Sequence, residues 1–365
     1  MPPRSVYPCG LIILPEMKKQ ISFDPDAPAA ADSLFGLPFT TDTAKVVVLP
    51  VPWEVTVSYR SGTSKGPEAI KKASCQVDLY DEKIKDAWKT GIAMEEISGK
   101  WVKRNKALRP KAEKYISLYI KGMEGKLKAK EQEKMKTLNK EINRACSDLK
   151  DWVFSESTAL LKKKKIVALL GGDHSTPLGL MQAVAEQCDS FGILHIDAHC
   201  DLRNAYEGFT YSHASIMFNA LKIKNMTRLV QVGIRDYSEG EAALIKSSGK
   251  RIQLFSAQRL NESLFGGDTW ASLAKKIISQ LPENVYISFD IDGLNPALCP
   301  NTGTPVPGGL EYWQATHLLE EVVASGRKIV SFDLNEVAPG KDEWDANVGA
   351  RLLYKMANIA AFTNR

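Results

Sequence analysis

The chain has 365 residues, 44% of them hydrophobic, and a formal charge of +5 that is small for this length. These values predict one large α/β core and give no sign of a nucleic-acid partner. No apolar run in the sequence approaches the roughly twenty residues that a membrane-spanning helix needs, and six scattered cysteines without paired spacing predict reduced thiols in the cytoplasm.

The N-terminal residues 1–40 are predicted to be a partly disordered extension, followed by one domain over residues 41–365. Residues 11–14 are apolar, but this stretch is too short for a signal-peptide core and has no clear small-residue cleavage site. Met17 is an alternative start, so residues 1–16 could be an upstream extension.

Residues from about 98 to 165 are rich in lysine and follow a helical pattern, which predicts a helical insertion. Apolar residues recur there at spacings of three and four, a stripe suited to one helix packing against another. The stripe consists of Met135, Leu138, Ile142, Ala145, Leu149 and Trp152. Gly122 and Gly125 indicate a break between two helices. We favour a solvent-exposed helical insertion over a module that binds a dedicated partner. The apolar stripe still has to be buried against another surface, and we expect a neighbouring subunit to provide that surface.

Four apolar runs further along the chain predict buried strands. They cover residues 166–170, 192–196, 285–289 and 328–334. The carboxyl ends of parallel strands lie at one edge of a sheet, which is where α/β folds place their active sites. Polar side chains that follow these runs are therefore expected to converge.

The residues after the first three runs form a metal-binding pattern. They are His174, Asp197, His199, Asp201, Asp290 and Asp292. A Gly-Gly turn precedes the first of them, and the three after the second run alternate, so they share one face if the chain stays extended. Taken singly, each cluster could be a structural histidine, a turn former or a helix cap. Their joint occurrence predicts a site for two divalent ions such as Mn²⁺, which suit mixed imidazole and carboxylate ligands. His195 and His317 keep a structural interpretation.

These motifs resemble those of the ureohydrolase family, which contains arginases and agmatinases. Residues 302–309 (TGTPVPGG) and 332–339 (FDLNEVAP) match its motifs too, and the resemblance extends from about Lys45 to the C-terminus with one interruption. It implies a three-layer α-β-α sandwich of the arginase type with a mostly parallel sheet. It also implies hydrolysis of a guanidino compound to urea and an amine, and a homo-oligomer, either a trimer or a hexamer.

The resemblance further implies two Mn²⁺ ions per subunit. A water molecule that bridges them would be deprotonated near neutral pH and would attack the guanidinium carbon. One ion would be bound by His174, Asp197, Asp201 and Asp290, and the other by Asp197, His199, Asp290 and Asp292.

His213 and Glu336 complete the expected catalytic set. The resemblance implies that His213 shuttles a proton and that Glu336 pairs with the guanidinium group of the substrate. A carboxylate can accept the N–H fork of a guanidinium group with both oxygens, although a structural salt bridge is the alternative for Glu336. Ala214 stands where the family usually has glycine, which bears on the backbone placement of His213.

Two departures from arginases favour agmatine, which would be hydrolysed to putrescine and urea. The loop at residues 202–210 lacks the arginase-type residues that bind an amino-acid carboxylate, and Ser238 replaces the aspartate that reads an α-ammonium group. The expected residues for the substrate tail are therefore Asn204, Glu207 and Ser238, although a solvated loop glutamate is the alternative for Glu207.

Other readings stay open. The substrate could be that of a guanidinobutyrase, a formiminoglutamase or an arginase, since residues 201–203 are shared with formiminoglutamases. A non-catalytic assembly protein that uses the helical insertion is less favoured, because such proteins usually lose metal ligands and none is lost here.

Overall fold

A computed structural model describes residues 23–29 and 32–365. Their eight strands form one parallel sheet in the order β2-β1-β3-β8-β7-β4-β5-β6. The strands are β1 Val46–Val51, β2 Ile92–Met94, β3 Ile166–Gly171, β4 Phe191–Ile196, β5 Met226–Val232, β6 Ile252–Phe255, β7 Asn284–Asp290 and β8 Lys328–Asn335. All four predicted strands are therefore present. The predicted extension over residues 1–16, with its alternative start next to it, lies outside the described residues.

The ten α-helices of the described ranges cover both faces of the sheet. They are α1 Gly66–Ala73, α2 Gly99–Met123, α3 Ala129–Lys162, α4 Leu178–Ala185, α5 Ile216–Ala220, α6 Glu239–Ser247, α7 Ala257–Phe265, α8 Trp270–Ile278, α9 Tyr312–Ala324 and α10 Trp344–Phe362. None of them is both long enough and apolar enough to cross a membrane.

Successive residues of one strand pack into two separate hydrophobic cores, because side chains alternate between the faces of a sheet. In β1, Val46 and Val48 pack into the core under α1, α8, α9 and α10. Val47 and Leu49 pack into the core under α2, α3, α4 and α5. This arrangement is the expected three-layer sandwich, with a sheet buried on both faces.

Helices α2 and α3 form an antiparallel hairpin, and the break between them falls where Gly122 and Gly125 predicted it. Of the stripe on α3, Leu138, Ile142, Ala145 and Leu149 are at most 9% exposed within this single chain. Helix α4 approaches α3 closely, since a Cβ on Gly179 would lie 2.4 Å from the Lys150 carbonyl oxygen. The expectation that a neighbouring subunit covers the stripe is wrong, because the chain covers it itself.

The carboxyl ends of the four central strands lie side by side at one edge of the sheet. Strand β8 pairs with β3 and β7, and β7 pairs with β4. The register places Asp290 beside Asn335 at the ends of β7 and β8. The polar residues that follow these strands therefore meet, as the sequence predicted.

Candidate metal centre

His174 lies in the loop after β3 and points one ring nitrogen at three carboxylates. The Gly171-Gly172 turn permits this, since a Cβ on Gly172 would lie 1.7 Å from the Trp53 carbonyl oxygen. The Nδ1 atom of His174 lies 3.1, 3.3 and 3.2 Å from oxygens of Asp197, Asp201 and Asp290. One ring nitrogen cannot donate to three acceptors, so this geometry suits a cation held between Nδ1 and the carboxylates.

The residues after β4 contribute to two neighbouring groups of donors. Asp197 lies next to His174, and its other oxygen is 3.4 Å from His199 Nδ1. His199 Nδ1 is also 3.2 Å from Asp292. The chain does not stay extended to the end of the motif, because Asp201 has a φ of +54°. The three side chains are nevertheless brought together, with this turn directing Asp201 toward His174.

Strand β7 brings its two aspartates to the same place. Asp290 Oδ1 accepts a hydrogen bond from the backbone N–H of Asp292, and Asp292 Oδ1 accepts one from Ala198. A Cβ on Gly293 would lie 2.7 Å from the Asp197 nitrogen. Glycine at this position therefore lets the ends of β7 and β4 approach closely.

The centre carries more buried negative charge than its surroundings neutralise. Among the described residues, only histidines form ion pairs with Asp197, Asp201, Asp290 and Asp292. Burial and the charge of Asp197 raise the pKa of Asp201 to about 7. Burial and the neighbouring Asp292 and Asp197 raise the pKa of Asp290 well above its usual range. Bound cations would remove this repulsion.

Two adjacent groups of side chains could each hold a metal ion, and they share Asp197. One comprises His174, His195, Asp197 and Asp201, and the other comprises Asp197, His199 and Asp292. Asp290 lies beside the first group, 3.2 Å from His174. All six predicted ligands are thus in one place, and their imidazole and carboxylate donors fit two divalent ions.

His195 belongs to the support of the centre rather than to its ligands. Its Nδ1 accepts a hydrogen bond from Gln231 Nε2 at 3.0 Å, and the same amide donates to the Cys200 carbonyl at 2.8 Å. The ring proton is then on Nε2, which lies 2.8 Å from Asp197. His195 therefore donates to Asp197 and orients it, a common arrangement around metal ligands. The structural interpretation of this residue agrees with that contact.

Glu336 follows β8 and has one oxygen that nothing in the described chain satisfies. Its Oε1 accepts a hydrogen bond from the backbone N–H of His174 at 2.9 Å. Its Oε2 is buried without a partner, and burial together with Asp173 raises the pKa of Glu336 well above its usual range. One oxygen therefore holds the side chain in place, and the other is left without a hydrogen bond.

Three non-glycine residues in two segments of the site have positive φ, namely Asp201, Glu207 and Glu336 at 54, 50 and 61°. For a residue with a Cβ this conformation costs roughly 1–2 kcal/mol, and such strain tends to accumulate at functional sites. The backbone strain therefore indicates that the loop at residues 201–210 and the segment after β8 have a functional role.

His213 lies on the wall of the cavity as a neutral imidazole. Burial and the nearby His199 lower the pKa of His213 to about 3. Its ring nitrogens lie 3.4 Å from Ser58 Oγ and 3.3 Å from Ser212 Oγ. Ala214 has no positive φ, so a Cβ is accommodated after this histidine without left-handed backbone strain.

A cavity of about 420 Å³ opens beside the centre. Its acidic lining residues are Asp201, Asp236, Glu241, Asp290, Asp292 and Glu336, and Arg60 and Arg203 also line it. The predicted tail-binding residues Asn204, Glu207 and Ser238 are not part of this lining. Asn204 is exposed, Glu207 is half-buried, and Ser238 caps α6.

Asp236 and Glu241 are the acidic lining residues that sequence reasoning missed. Asp236 is exposed at the cavity, while Glu241 is buried and accepts hydrogen bonds from Ser238 and from the backbone N–H of Leu202. The Ser238 to Glu241 spacing is that of a capping box. That signal could have identified Ser238 as a helix cap and directed attention to Glu241.

The fold, the two donor groups and the adjoining cavity together define an α/β metalloenzyme. The chain belongs to the arginase family, whose model matches residues 44–358. It is 33% identical over 313 residues to the N(1)-aminopropylagmatine ureohydrolase of Thermus thermophilus, covering 86% of this chain and 89% of that protein. An agmatinase of Neisseria meningitidis is 28% identical over 318 residues, covering 85% of each. The predicted family is confirmed, and the chain is an arginase-family hydrolase.

Solved structures show the same fold. The proclavaminate amidino hydrolase of Streptomyces clavuligerus has a TM-score of 0.70 at 23% identity, over 92% of this chain and 98% of that one. The agmatine ureohydrolase of Thermoplasma volcanium has a TM-score of 0.66 at 24% identity, over 90% and 94%. The expected arginase-like sandwich is confirmed.

Proposed function

We propose that this protein hydrolyses a guanidino compound with a cationic tail, namely agmatine or its N(1)-aminopropyl derivative, using two Mn²⁺ ions. The observation that carries the proposal is the buried, unpartnered Oε2 of Glu336 beside the buried His/Asp centre. A guanidinium group supplies the N–H donors and the positive charge that this oxygen lacks. Agmatine would yield urea and putrescine.

The residues of the centre would divide the chemistry among them. Two divalent ions, when bound by the six ligands, would supply a water molecule of lowered pKa as the nucleophile. Glu336 would hold the guanidinium group so that its central carbon faces the ions. His213 would take up a proton at one ring nitrogen and return it to the departing amine.

The charge of the substrate tail has two candidates, an ammonium group and a carboxylate. The exposed carboxylate of Asp236 suits an ammonium group, and relatives that share a third of their residues with this chain are named for aminopropylagmatine. Arg60 and Arg203 favour the second candidate, a substrate with a carboxylate tail. Both arginines are already engaged, because Arg60 donates to the Pro300 carbonyl and Arg203 stacks on Tyr206. The homo-oligomer and the cytoplasmic location stay predictions.

A substrate panel at fixed Mn²⁺ tests the proposal through urea release. We expect kcat/KM for agmatine or N(1)-aminopropylagmatine to exceed that for arginine and 4-guanidinobutyrate by roughly 100-fold, since like charges in an acidic cavity cost several kcal/mol. A preference for a carboxylate tail would instead support the second candidate. No turnover of any compound by metal-loaded protein would contradict the enzyme proposal and favour an assembly role.

His213→Ala is expected to lower kcat by about 100- to 10,000-fold, the usual contribution of a positioned acid or base. Bound metal should stay unchanged, because His213 belongs to neither donor group. His317→Ala is the matched control, since His317 lies on α9 and is not part of the cavity lining. A His213→Ala enzyme that keeps kcat within the range of this control would remove the proton-transfer role.

A further inference from the structure

Two loops that line the cavity are held from behind by the α2–α3 hairpin. We define the first loop as residues 52–62, which includes Ser58, Tyr59 and Arg60, and the second loop as residues 202–214, which includes Tyr206 and the proposed proton carrier. Neither loop is a regular strand or α-helix. Their shape therefore depends on what they pack against.

Arg109 of α2 fastens the first loop. Its Nη1 donates to the carbonyl oxygens of Val55 at 3.2 Å and Val57 at 2.6 Å, and its Nε lies 3.1 Å from Ser61 Oγ. The side chain is only 11% exposed. One rigid guanidinium fork thus joins three points of a seven-residue stretch in a fixed, planar geometry. One turn earlier, the Asn105 side chain accepts the N–H of Glu54 at 2.8 Å.

The same hairpin fastens the second loop from α3. Asn139 and Asn143 both donate to the Gly208 carbonyl, at 2.9 and 3.0 Å, and Asn143 accepts the N–H of Thr210 at 2.8 Å. A Cβ on Gly208 would lie 2.3 Å from the Tyr115 hydroxyl. The hairpin and this loop therefore meet without room for a further side-chain atom.

Glu207 of the second loop is half-buried and responds to the charge of Arg109. One of its carboxylate oxygens is buried without a hydrogen-bond partner. Burial raises the pKa of Glu207, and the positive charge of Arg109 acts in the opposite direction. Arg109 is thus bonded to the first loop, forms an ion pair with Glu113 of its own helix at 3.3 Å, and acts on Glu207 of the second loop through its charge.

We propose that Arg109 is a positioning residue that holds the first loop in shape and so sets the width of the cavity on the side of Ser58, Tyr59 and Arg60. The proposal rests on the proposed function only for its kinetic consequence. The hairpin then supports the wall of the cavity from behind, and its role differs from that of a solvent-exposed helical insertion. None of the hydrogen bonds or ion pairs of Arg109 reaches the six ligands or Glu336.

The variant Arg109→Ala removes the fork, and Arg104→Ala is the matched control. Arg104 lies on the same helix, pairs with Asp148 of α3 at 2.8 Å and stacks on Trp101, and none of its hydrogen bonds or ring contacts reaches either loop. Loss of hydrogen bonds from a charged donor predicts a KM for agmatine raised by about 10- to 150-fold in Arg109→Ala, with a smaller change in kcat and unchanged bound metal. Arg109→Lys should fall between the wild type and Arg109→Ala.

Amide hydrogen exchange tests the positioning without any substrate. In Arg109→Ala, exchange in residues 52–62 is expected to accelerate by about tenfold or more, because the loop opens locally, while Arg104→Ala leaves it unchanged. Unchanged exchange in Arg109→Ala, or a lower kcat at unchanged KM together with a lower Tm, would overturn the proposal. If the wild-type protein turned over no guanidino compound, the hydrogen-exchange result would still show whether Arg109 positions the loop.

Discussion

Glu336→Gln is expected to abolish most of the activity while leaving the fold intact. The amide keeps a carbonyl oxygen that can accept the His174 N–H, as Oε1 does now, but it removes the negative charge offered to the guanidinium group. Truncating one partner of a buried charged pair typically costs 2–5 kcal/mol, so kcat/KM should fall by between about 30- and 4,000-fold. Initial rates of urea release under metal-saturated conditions measure this.

The same substitution should stabilise the metal-free protein. Burial raises the pKa of Glu336, so the unfolded chain releases this proton at lower pH than the folded chain does. The charge therefore costs folding free energy as pH rises from the unfolded pKa through the folded pKa. Glu336→Gln removes that cost, and its Tm near neutral pH should exceed that of the wild type. Glu321→Gln, on α9 and outside the cavity lining, is the control. A Glu336→Gln enzyme with unchanged kcat/KM would contradict the guanidinium-pairing role.

The convergence of the candidate metal ligands could be predicted from the sequence because each follows a short apolar run. Parallel strands bring their carboxyl ends to one edge, so His174, Asp197 and Asp290 had to lie near one another once the strands were recognised. The finer geometry could not be predicted. Asp201 reaches the centre through a left-handed turn rather than along an extended chain, and only the packed loop determines that turn.

The lining around the substrate tail was harder to predict than the centre. Ser238 occupies the position that the family comparison singled out, but its hydroxyl is used to cap α6. Glu241, three residues on, lines the cavity instead. Which side chain of a loop faces a cavity depends on contacts between segments distant in sequence, and neither periodicity nor strand ends contain that information.

The hairpin illustrates a similar limit. The spacing of Leu138, Ile142 and Leu149 identified a buried helix face, and the structure confirms that these residues are buried. An apolar stripe on a helix predicts that the stripe is buried, but it does not predict which segment buries it. The cover is α4 and the rest of the same core, and the close approach at Gly179 was not recognisable from the sequence of α3 alone.

Asp197→Asn is expected to impair both metal positions, because Asp197 belongs to both donor groups. The loss of one negative charge leaves a buried pair of divalent ions short of compensation. Changes around a ligand typically weaken metal binding 10- to 100-fold, so loss of a shared ligand should weaken it by at least about 100-fold. Bound manganese, measured by mass spectrometry after gel filtration, should fall from two ions per subunit to fewer than one, and urea release should fall with it.

The variant Asp292→Asn shows how the loss of a ligand of one ion differs from the loss of a ligand shared by both ions. Asp292 belongs only to the group with His199, so this variant should lose one ion and keep the other. Asp81→Asn controls for removing a buried carboxylate, since Asp81 pairs with Lys355 and is not part of the cavity lining. It should lower Tm without changing bound manganese. If Asp197→Asn lost only one ion, as Asp292→Asn does, Asp197 would bind one ion only. That result would contradict its role as a ligand shared by both ions.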